Sequence, residues 1–447
     1  MKKYVLLIVI VLSQFMFSQF ESKLRSNQGA LQGGFGLTWI DDKPFYTVRI
    51  APEVAFGKIG VGLDLKLDFG ADGSLRKENF NETSDYLSVI RYLRYGQKNE
   101  PLYVRVGALD YATLGNGSIM YLYNNSPSFD ARKIGLEFDI DFINLGFESV
   151  YSNFGERGIF GLRGYVYPMK FTSIGKVPII GSLEIGATFA SDFNEYAGVT
   201  SARINPTTNQ IEKIADEGSV NVFGFDIGLP LVSTSLVDWK LYFDYAKIVD
   251  FGSGTSVGTM LNLNGLGLVN LTAKLERRFN SGKYLPSYFN SMYEIERFNF
   301  DNSSNSTSSK IRTLSSIQDN VGNGFFGELL VSVLGGIKIL GSYQRLDKYP
   351  ESGILHIGTD IVPEKMPYIL RAGYDKINIR DEKDLFTLDD RSYLFVEAGY
   401  KPYSFLIVSL VYNWTFTPVR DNNDNIVSFE PQKRIEPRVS FYYPLQF

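Results

Sequence analysis

The chain has no cysteine and only one histidine among its 447 residues. Without thiolates it can form neither a disulfide framework nor a cysteine-based zinc site, and we predict no bound metal and no cofactor. Charged residues make up 21% of the sequence, the formal net charge is -4, and no stripe of Lys and Arg stands out. A disordered chain would carry more charge and fewer aromatic residues, and a nucleic-acid-binding protein would be basic. The composition therefore argues against both classes.

Long hydrophobic runs are also missing, and the nearest approach to one is at the N-terminus. Met1-Lys2-Lys3 precedes an apolar stretch from Tyr4 to Phe17, which is shorter than the roughly 20 residues that a membrane helix needs. Ser18 supplies the small residue expected before a cleavage point. We therefore predict a secretory signal peptide over residues 1–18, and a mature chain over 19–447 that is exported without a lipid anchor, because no cysteine follows.

Apolar and aromatic residues, which are abundant, recur at every second position along the mature chain. Between Val61 and Phe69, for example, apolar residues alternate with small or charged ones. This period is typical of a β-strand with one apolar and one polar face. It predicts eighteen strands, at 28–38, 45–53, 61–69, 86–94, 101–109, 134–142, 145–152, 159–167, 182–190, 221–229, 237–245, 269–275, 325–333, 337–345, 368–374, 391–400, 404–416 and 438–447. Two weaker segments, at 255–263 and 353–360, bring the number to twenty if they count as strands.

Two all-β architectures fit many alternating strands, a soluble sandwich or propeller and a transmembrane barrel. Three features favour the barrel: strands of about ten residues, aromatic residues at strand ends, and whole charges on the polar face. If the two weaker segments count as strands, the links between strands also alternate in length, with long ones at 70–85, 110–132, 191–218, 280–322, 346–352 with its flanks, 379–390 and 417–433. We therefore predict a transmembrane antiparallel up-and-down β-barrel of about 20 strands (range 16–20), with short periplasmic turns and long outer loops, as one domain.

The last strand carries a further signal, because apolar residues occupy every second position up to the end of the chain: Val439, Phe441, Tyr443, Leu445 and Phe447. Beside a signal peptide, this pattern resembles the single-chain outer-membrane β-barrels of Gram-negative bacteria, with no motif that selects a subfamily. The resemblance implies a location in the outer membrane, contact with its lipids and lipopolysaccharide, and recognition of these five residues by the barrel-assembly machinery. Pro444 departs from the pattern and removes one donor from the strand ladder.

Charged residues on the polar strand faces are the main candidate functional residues, because in a barrel they project into the lumen. They could form a constriction that selects solutes, or ion pairs that fill and stiffen the barrel. The mixture of signs favours ion pairs. These candidates are Arg49, Arg105, Arg163, Arg371, Asp64, Glu137, Asp139, Glu148, Glu184 and Glu328.

A glycine-containing segment at 114–125 is the candidate constriction. Gly115 and Gly117 permit a tight backbone, Asn116 lies between them, and Tyr121 and Tyr123 follow. The segment could fold inward as a constriction or plug, or form a surface loop with its own hairpin. A phosphate-binding glycine loop is disfavoured because no Lys-Ser/Thr follows.

Three other segments have a functional and a structural interpretation. His356 is the only histidine available to a hydrolase, but the motifs G-x-S-x-G and H-E-x-x-H are both absent, so we expect a structural role and no catalytic residues. The stretch 421–425 alternates oxygen-bearing side chains as calcium loops do, but lacks the glycine and the closing glutamate, which favours a solvated turn. The low-complexity stretch 300–309 predicts a mobile outer loop.

Three classes of function remain open for a barrel of this kind. We expect a channel or transporter for a small solute, rather than an enzyme. The second alternative is a structural or accessory barrel of an export, assembly or surface-polymer machine, with a protein partner that the sequence does not identify. The third is an outer-membrane hydrolase that uses His356.

Overall fold

The computed structural model describes residues 28–81, 83–216, 218–266, 268–317, 320–333, 336–362 and 366–446. The predicted signal peptide and Phe447 lie outside these residues. Twenty antiparallel strands pair in chain order to form a closed barrel: β1 (Gln28–Ile40), β2 (Lys43–Ile50 with Glu53–Phe56), β3 (Ile59–Leu63 with Leu65–Phe69), β4 (Ile90–Tyr95), β5 (Leu102–Gly107), β6 (Gly135–Phe142), β7 (Leu145–Tyr151), β8 (Ile159–Val166), β9 (Glu184–Asp192), β10 (Val220–Ser233), β11 (Val237–Ile248), β12 (Gly252–Leu266), β13 (Val269–Gly282), β14 (Gly324–Val333), β15 (Ile337–Leu346), β16 (Gly353–Ile361), β17 (Tyr368–Ile379), β18 (Ser392–Tyr403), β19 (Leu406–Arg420) and β20 (Ile426–Gln446).

Each of the twenty predicted segments overlaps one of these strands, so the predicted fold class is confirmed. The barrel closes where β1 pairs with β20, in a continuous register from Gln28–Gln446 to Gly36–Arg438. Pro444 lies opposite Ala30 within this register. Pro52 separates the two parts of β2, which is consistent with the missing N–H of proline.

The two faces of the wall have opposite polarity, as β13 illustrates. Lys274, Glu276 and Arg278 are buried inside the barrel, whereas the intervening Leu275 and the outward Phe279 are 64% and 46% exposed. A water-soluble protein would bury these apolar side chains, so an apolar outer face of this extent belongs in lipid. The barrel is therefore of the transmembrane type. Among the described residues, no helix is both long and apolar enough to cross a membrane.

The connections differ between the two ends of the barrel. At the end that carries both chain termini (the terminal end), most turns are short, such as 57–58 and 143–144, and the exception is the link 167–183. At the opposite end (the loop end), the long connections include 70–89, 108–134, 193–219 and 283–323. Short helices lie within the connections, at Thr83–Leu87, Tyr293–Glu296 and Lys310–Ser316, with 3-10 turns at Lys77–Asn79, Pro168–Phe171, Ser173–Lys176, Ile180–Ser182 and Pro350–Ser352.

One expectation for the loops is wrong. The predicted long loop at 417–433 is a hairpin, because β19 and β20 continue in register to a tight turn at 421–425. Its pairs, such as Thr417 with Glu430, extend past the apolar belt, and so the alternation that marks the membrane part is lost. The stretch 300–309 also contains a short hairpin, Asn299–Asp301 with Ser306–Ser308, in which Phe300 is buried. A second outer hairpin pairs Val199–Ile204 with Ile211–Asp216.

Candidate functional site

Two long connections fold into the barrel and meet inside it. The first, residues 108–134, joins β5 to β6 and is called the constriction loop. The second, residues 283–323, joins β13 to β14 and is called the second inward loop; it is described except for residues 318 and 319. The two loops touch where the Tyr121 N–H donates to the Phe289 carbonyl (3.0 Å). Apolar side chains of both loops, including Met120 and Phe289, are fully buried in one cluster.

The tip of the constriction loop needs glycine at two positions. Gly115 and Gly117 have positive φ angles of 55° and 88°, in the left-handed region that other residues rarely adopt. A Cβ atom on Gly115 would also lie 2.9 Å from the Arg163 side chain. Both glycines therefore allow the backbone to turn close to the barrel wall.

Polar contacts fasten this tip to the wall of the barrel. The Gly115 N–H donates to Glu148 on β7 (2.8 Å). On β11, Asp244 accepts hydrogen bonds from the side chains of Asn116 (2.9 Å) and Ser118 (2.7 Å). These contacts hold the predicted constriction residues inside the lumen.

Two tyrosines that follow the tip of the constriction loop also make hydrogen bonds to groups inside the barrel. Tyr121 donates a hydrogen bond to Glu328 on β14, and Tyr123 donates one to Glu294 in the second inward loop. Glu294 also accepts hydrogen bonds from Lys133 and Arg297. The constriction loop is thus attached to both the wall and the second inward loop.

The ten predicted lumen charges lie on the inward side of the wall, and nine of them form ion pairs. Arg163 contacts Glu148 (3.0 Å), Glu184 (2.6 Å) and Asp226 (2.6 Å). The remaining pairs are Arg49–Asp64 (2.7 Å), Arg105–Asp110 (3.0 Å), Arg371–Glu397 (3.1 Å), Lys98–Glu137 (3.2 Å) and Lys98–Asp139 (2.8 Å), while Glu328 accepts the bond from Tyr121.

Several inward charges were not among the predicted residues. The alternating triplet on β13, Lys274, Glu276 and Arg278, forms ion pairs of 3.0 and 2.7 Å through Glu276, and strand alternation alone could have identified it. Lys98 and Asp130 belong to connections between strands, where no periodicity marks an inward side chain. Asp130 nevertheless pairs with Arg434 on β20 (2.7 Å).

A cavity of about 220 Å³ lies at the terminal end, beside the tip of the constriction loop, and is called the inner cavity. Seven carboxylates line it, against three cationic side chains. Asp141 is one of these carboxylates and forms no ion pair with the described part of the chain. The charged lining residues are Glu100, Asp110, Glu137, Asp139, Asp141, Glu148, Glu184, Lys98, Arg163 and Lys240.

A second cavity, of about 440 Å³, opens at the loop end and is called the outer cavity. Lys133, Glu294 and Arg297 contribute charged groups to its lining, and the rings of Tyr196 and Phe298 stack beside it with centroids 4.8 Å apart. The inner and outer cavities share no lining residue. The two inward loops lie between them.

His356 is buried on β16, where it pairs with Asp375. It does not form a catalytic triad with Ser291, the serine that contacts the same carboxylate. Its Nδ1 lies 2.9 Å from Oδ1 of Asp375, and the Ser291 hydroxyl donates to the same carboxylate oxygen (2.6 Å). The imidazole Nε2 has no hydrogen-bond partner among the described residues. A triad would require the serine on the second imidazole nitrogen, so this group instead joins the wall to the second inward loop.

The two remaining predicted segments lie at opposite ends of β20. In the stretch 421–425, Asp421 accepts the backbone N–H groups of Asn423 (2.8 Å) and Asn425 (3.0 Å), which makes a tight turn. No group of side chains suited to hold a metal ion is present among the described residues. Of the predicted assembly signal, Phe441 and Tyr443 are exposed on the outer face of the barrel.

Comparison with known proteins adds little to this picture. No family model and no curated protein matches the sequence. Among solved structures, Pseudomonas aeruginosa OccK11 (OpdR) is similar over 94% of this chain and 95% of its own, at 11% identity and a TM-score of 0.30. Acinetobacter baumannii OccAB2 covers 93% and 98% at 10% identity and 0.30, and Pseudomonas aeruginosa OccK5 (OpdH) covers 94% and 97% at 11% and 0.32. Similarities at this level carry no functional argument, and the assignment of the fold rests on the strand pairing.

Proposed function

We propose that the protein is an outer-membrane channel for small solutes that favours cations over anions. The observation that carries the proposal is the inner cavity, in which seven carboxylates face three cationic groups directly beside the constriction loop. A solute that passes the constriction loop would cross this cavity. Its size suits a small solute rather than a folded polypeptide.

Electrostatics explains why such a cavity favours cations. A wet space enclosed by a low-dielectric wall focuses the field of the charges that line it. Two of the seven carboxylates, Asp110 and Glu100, pair with Arg105 and Lys58 outside the lining. The other five still outnumber the three cationic groups of the lining, so the field attracts cations and repels anions. Rings of Asp and Glu set the selectivity of other cation channels in the same way.

Planar-bilayer recording in a KCl gradient tests the proposal. We expect single-channel currents with a reversal potential on the cation-selective side. Asp141→Asn should weaken this selectivity, because it removes a lining carboxylate that has no ion pair to break. Asp250→Asn, in an exposed turn at the loop end, is the matched control and should have no effect. Selectivity for anions, or an equal effect of both variants, would contradict the proposal.

The alternative function is that of an accessory barrel. It is supported by the two packed loops, which fill part of the lumen. Absence of current from correctly folded protein, together with a stoichiometric partner after purification from native membranes, would favour it. We also propose that the barrel lies in the outer membrane. Outer-membrane lipids and lipopolysaccharide would then surround it, and the assembly machinery would recognise its C-terminal strand. Cell fractionation with and without residues 439–447 tests both.

A further inference from the structure

We propose that residues 167–183, called the rim segment, insert into the bilayer interface at the terminal end of the barrel and bind anionic phospholipid headgroups. This segment joins β8 to β9 and is the long exception among the short turns at that end. A link between adjacent antiparallel strands requires only a few residues. Its length therefore calls for a reason other than chain connection.

The rim segment lies along the edge of the barrel. The Tyr167 N–H donates to the Asn144 carbonyl (2.8 Å), and the Lys170 ammonium donates to the Ile143 carbonyl (2.8 Å). Both acceptors belong to the turn between β6 and β7, one strand pair away. From there the segment returns to β9 through the 3-10 turn Ile180–Ser182.

The outer surface of the rim segment is apolar and has no partner in the described chain. Phe171 and Ile180 are 61% and 52% exposed, and Ile174, Val177 and Ile179 are exposed as well. This surface is continuous with the lipid-facing belt, since the outward Phe142, Leu145 and Ile185 on the adjoining strands are also exposed. Continuity with the belt identifies lipid as the occupant.

The backbone of the rim segment satisfies most of its own hydrogen bonds. Three successive 3-10 turns supply internal bonds, such as Thr172 N–H to Met169 O (3.0 Å), Val177 N–H to Ile174 O (2.9 Å) and Leu183 N–H to Ile180 O (3.1 Å). Unsatisfied backbone groups are costly where water is scarce. A compact helical segment is therefore suited to the interface, as amphipathic membrane-surface segments are.

The charge of the rim segment indicates which lipids it binds. It contains Lys170 and Lys176, both exposed, and no acidic residue. Lysines beside an apolar surface attract anionic lipids, and their ammonium groups lie at the depth of the phosphates. Phosphatidylglycerol and similar phospholipids match this arrangement.

Site-directed spin labelling tests the insertion directly, because the chain has no native cysteine. Nitroxides at Phe171→Cys and Ile180→Cys would be compared, in bilayers containing phosphatidylglycerol, with Leu275→Cys in the lipid belt and Thr207→Cys in the outer hairpin. We expect the two rim positions to resemble Leu275→Cys, with high accessibility to oxygen and low accessibility to a water-soluble nickel complex. Accessibility like that of Thr207→Cys would overturn the insertion. Protection that appears only in native membranes would assign the surface to a protein partner and overturn it too.

Lipid retention in native mass spectrometry tests the headgroup contact. The double variant Lys170→Gln, Lys176→Gln should lose at least half of the phosphatidylglycerol retained by the wild type, whereas Lys58→Gln, in a turn at the same end, should retain it. Heat-modifiable migration on gels confirms that each variant is folded. Equal retention by all three proteins would overturn the headgroup contact.

Discussion

The replacement Arg163→Gln tests the electrostatic account of the inner cavity most directly. Arg163 is one of three cationic groups that line the cavity, and it contacts three carboxylates. Glutamine keeps part of its hydrogen-bonding capacity and removes its charge. The variant therefore leaves the cavity one unit more negative and should raise its preference for cations.

The size of the effect follows from Coulomb's law. A unit charge about 7 Å from a mobile ion in a water-like dielectric contributes roughly 0.6 kcal/mol. Screening in 0.1 M salt, with a Debye length of about 10 Å, reduces this to roughly 0.3 kcal/mol. Cations are then enriched and anions depleted by a little under twofold each. The ratio of potassium to chloride permeability should rise about threefold.

Reversal potentials in a KCl gradient measure this ratio. Arg203→Gln is the matched control, because Arg203 lies in the exposed outer hairpin and pairs there with Glu212 (3.0 Å). It should leave the permeability ratio unchanged. An unchanged or lower ratio in a folded Arg163→Gln barrel would refute the reasoning, since the charge of the cavity would then not control the passage of ions.

Three further predictions concern the loops and the wall. Gly115→Ala should loosen the tip of the constriction loop, because alanine at this positive φ costs about 1 kcal/mol; more frequent open–closed transitions in single-channel records would show it, and records like wild type would count against it. A hydrogen bond from Arg391 lowers the pKa of Asp384 to about 2. The contact therefore stabilises loop 380–391 above the ordinary aspartate pKa near 4 and is lost as the pH falls towards 2, so hydrogen exchange, corrected for its intrinsic pH dependence, should increase over this range in the wild type but not in Asp384→Asn. His356→Gln should leave any esterase or lipase activity of the purified barrel unchanged, because His356 is expected to have a structural role. The variant should lower the melting temperature because the bond to Asp375 is lost. Loss of a hydrolase activity that the wild type possesses would restore the hydrolase alternative.

Sequence periodicity was sufficient for the wall of this barrel and insufficient for its interior. Every strand has a lipid face, so a period of two appears wherever the chain crosses the membrane, and the twenty predicted segments follow from it. Past residue 417 the β19–β20 hairpin lies beyond the apolar belt. Its buried apolar side chains, such as Val427, pack on the outer loops and do not face lipid, which is why this continuation carries no regular alternation. The contact between Met120 and Phe289 joins loops that are far apart in sequence, and no local pattern encodes it.

The depth of the constriction is set by a change of polarity along the inner wall. On β10 the inward side chains Val220 and Val222, near the loop end, are apolar, whereas Asp226 further along is charged. β11 shows the same change from the loop end towards the terminal end: the inward Ile248 is apolar, and the inward Asp244 is charged. The apolar residues of the two inward loops pack against the apolar part of this wall.

Below that level the side chains that line the inner cavity are mostly charged or polar, with Met260 among the few apolar ones, so the loops cannot descend further without desolvating polar groups. The tip of the constriction loop ends at this boundary, where Asn116 and Ser118 bond to Asp244. The same change of polarity that places the constriction therefore leaves the inner cavity beneath it lined with charge. The narrowing of the lumen and the proposed charge selection are thus two consequences of a single pattern along the inner wall.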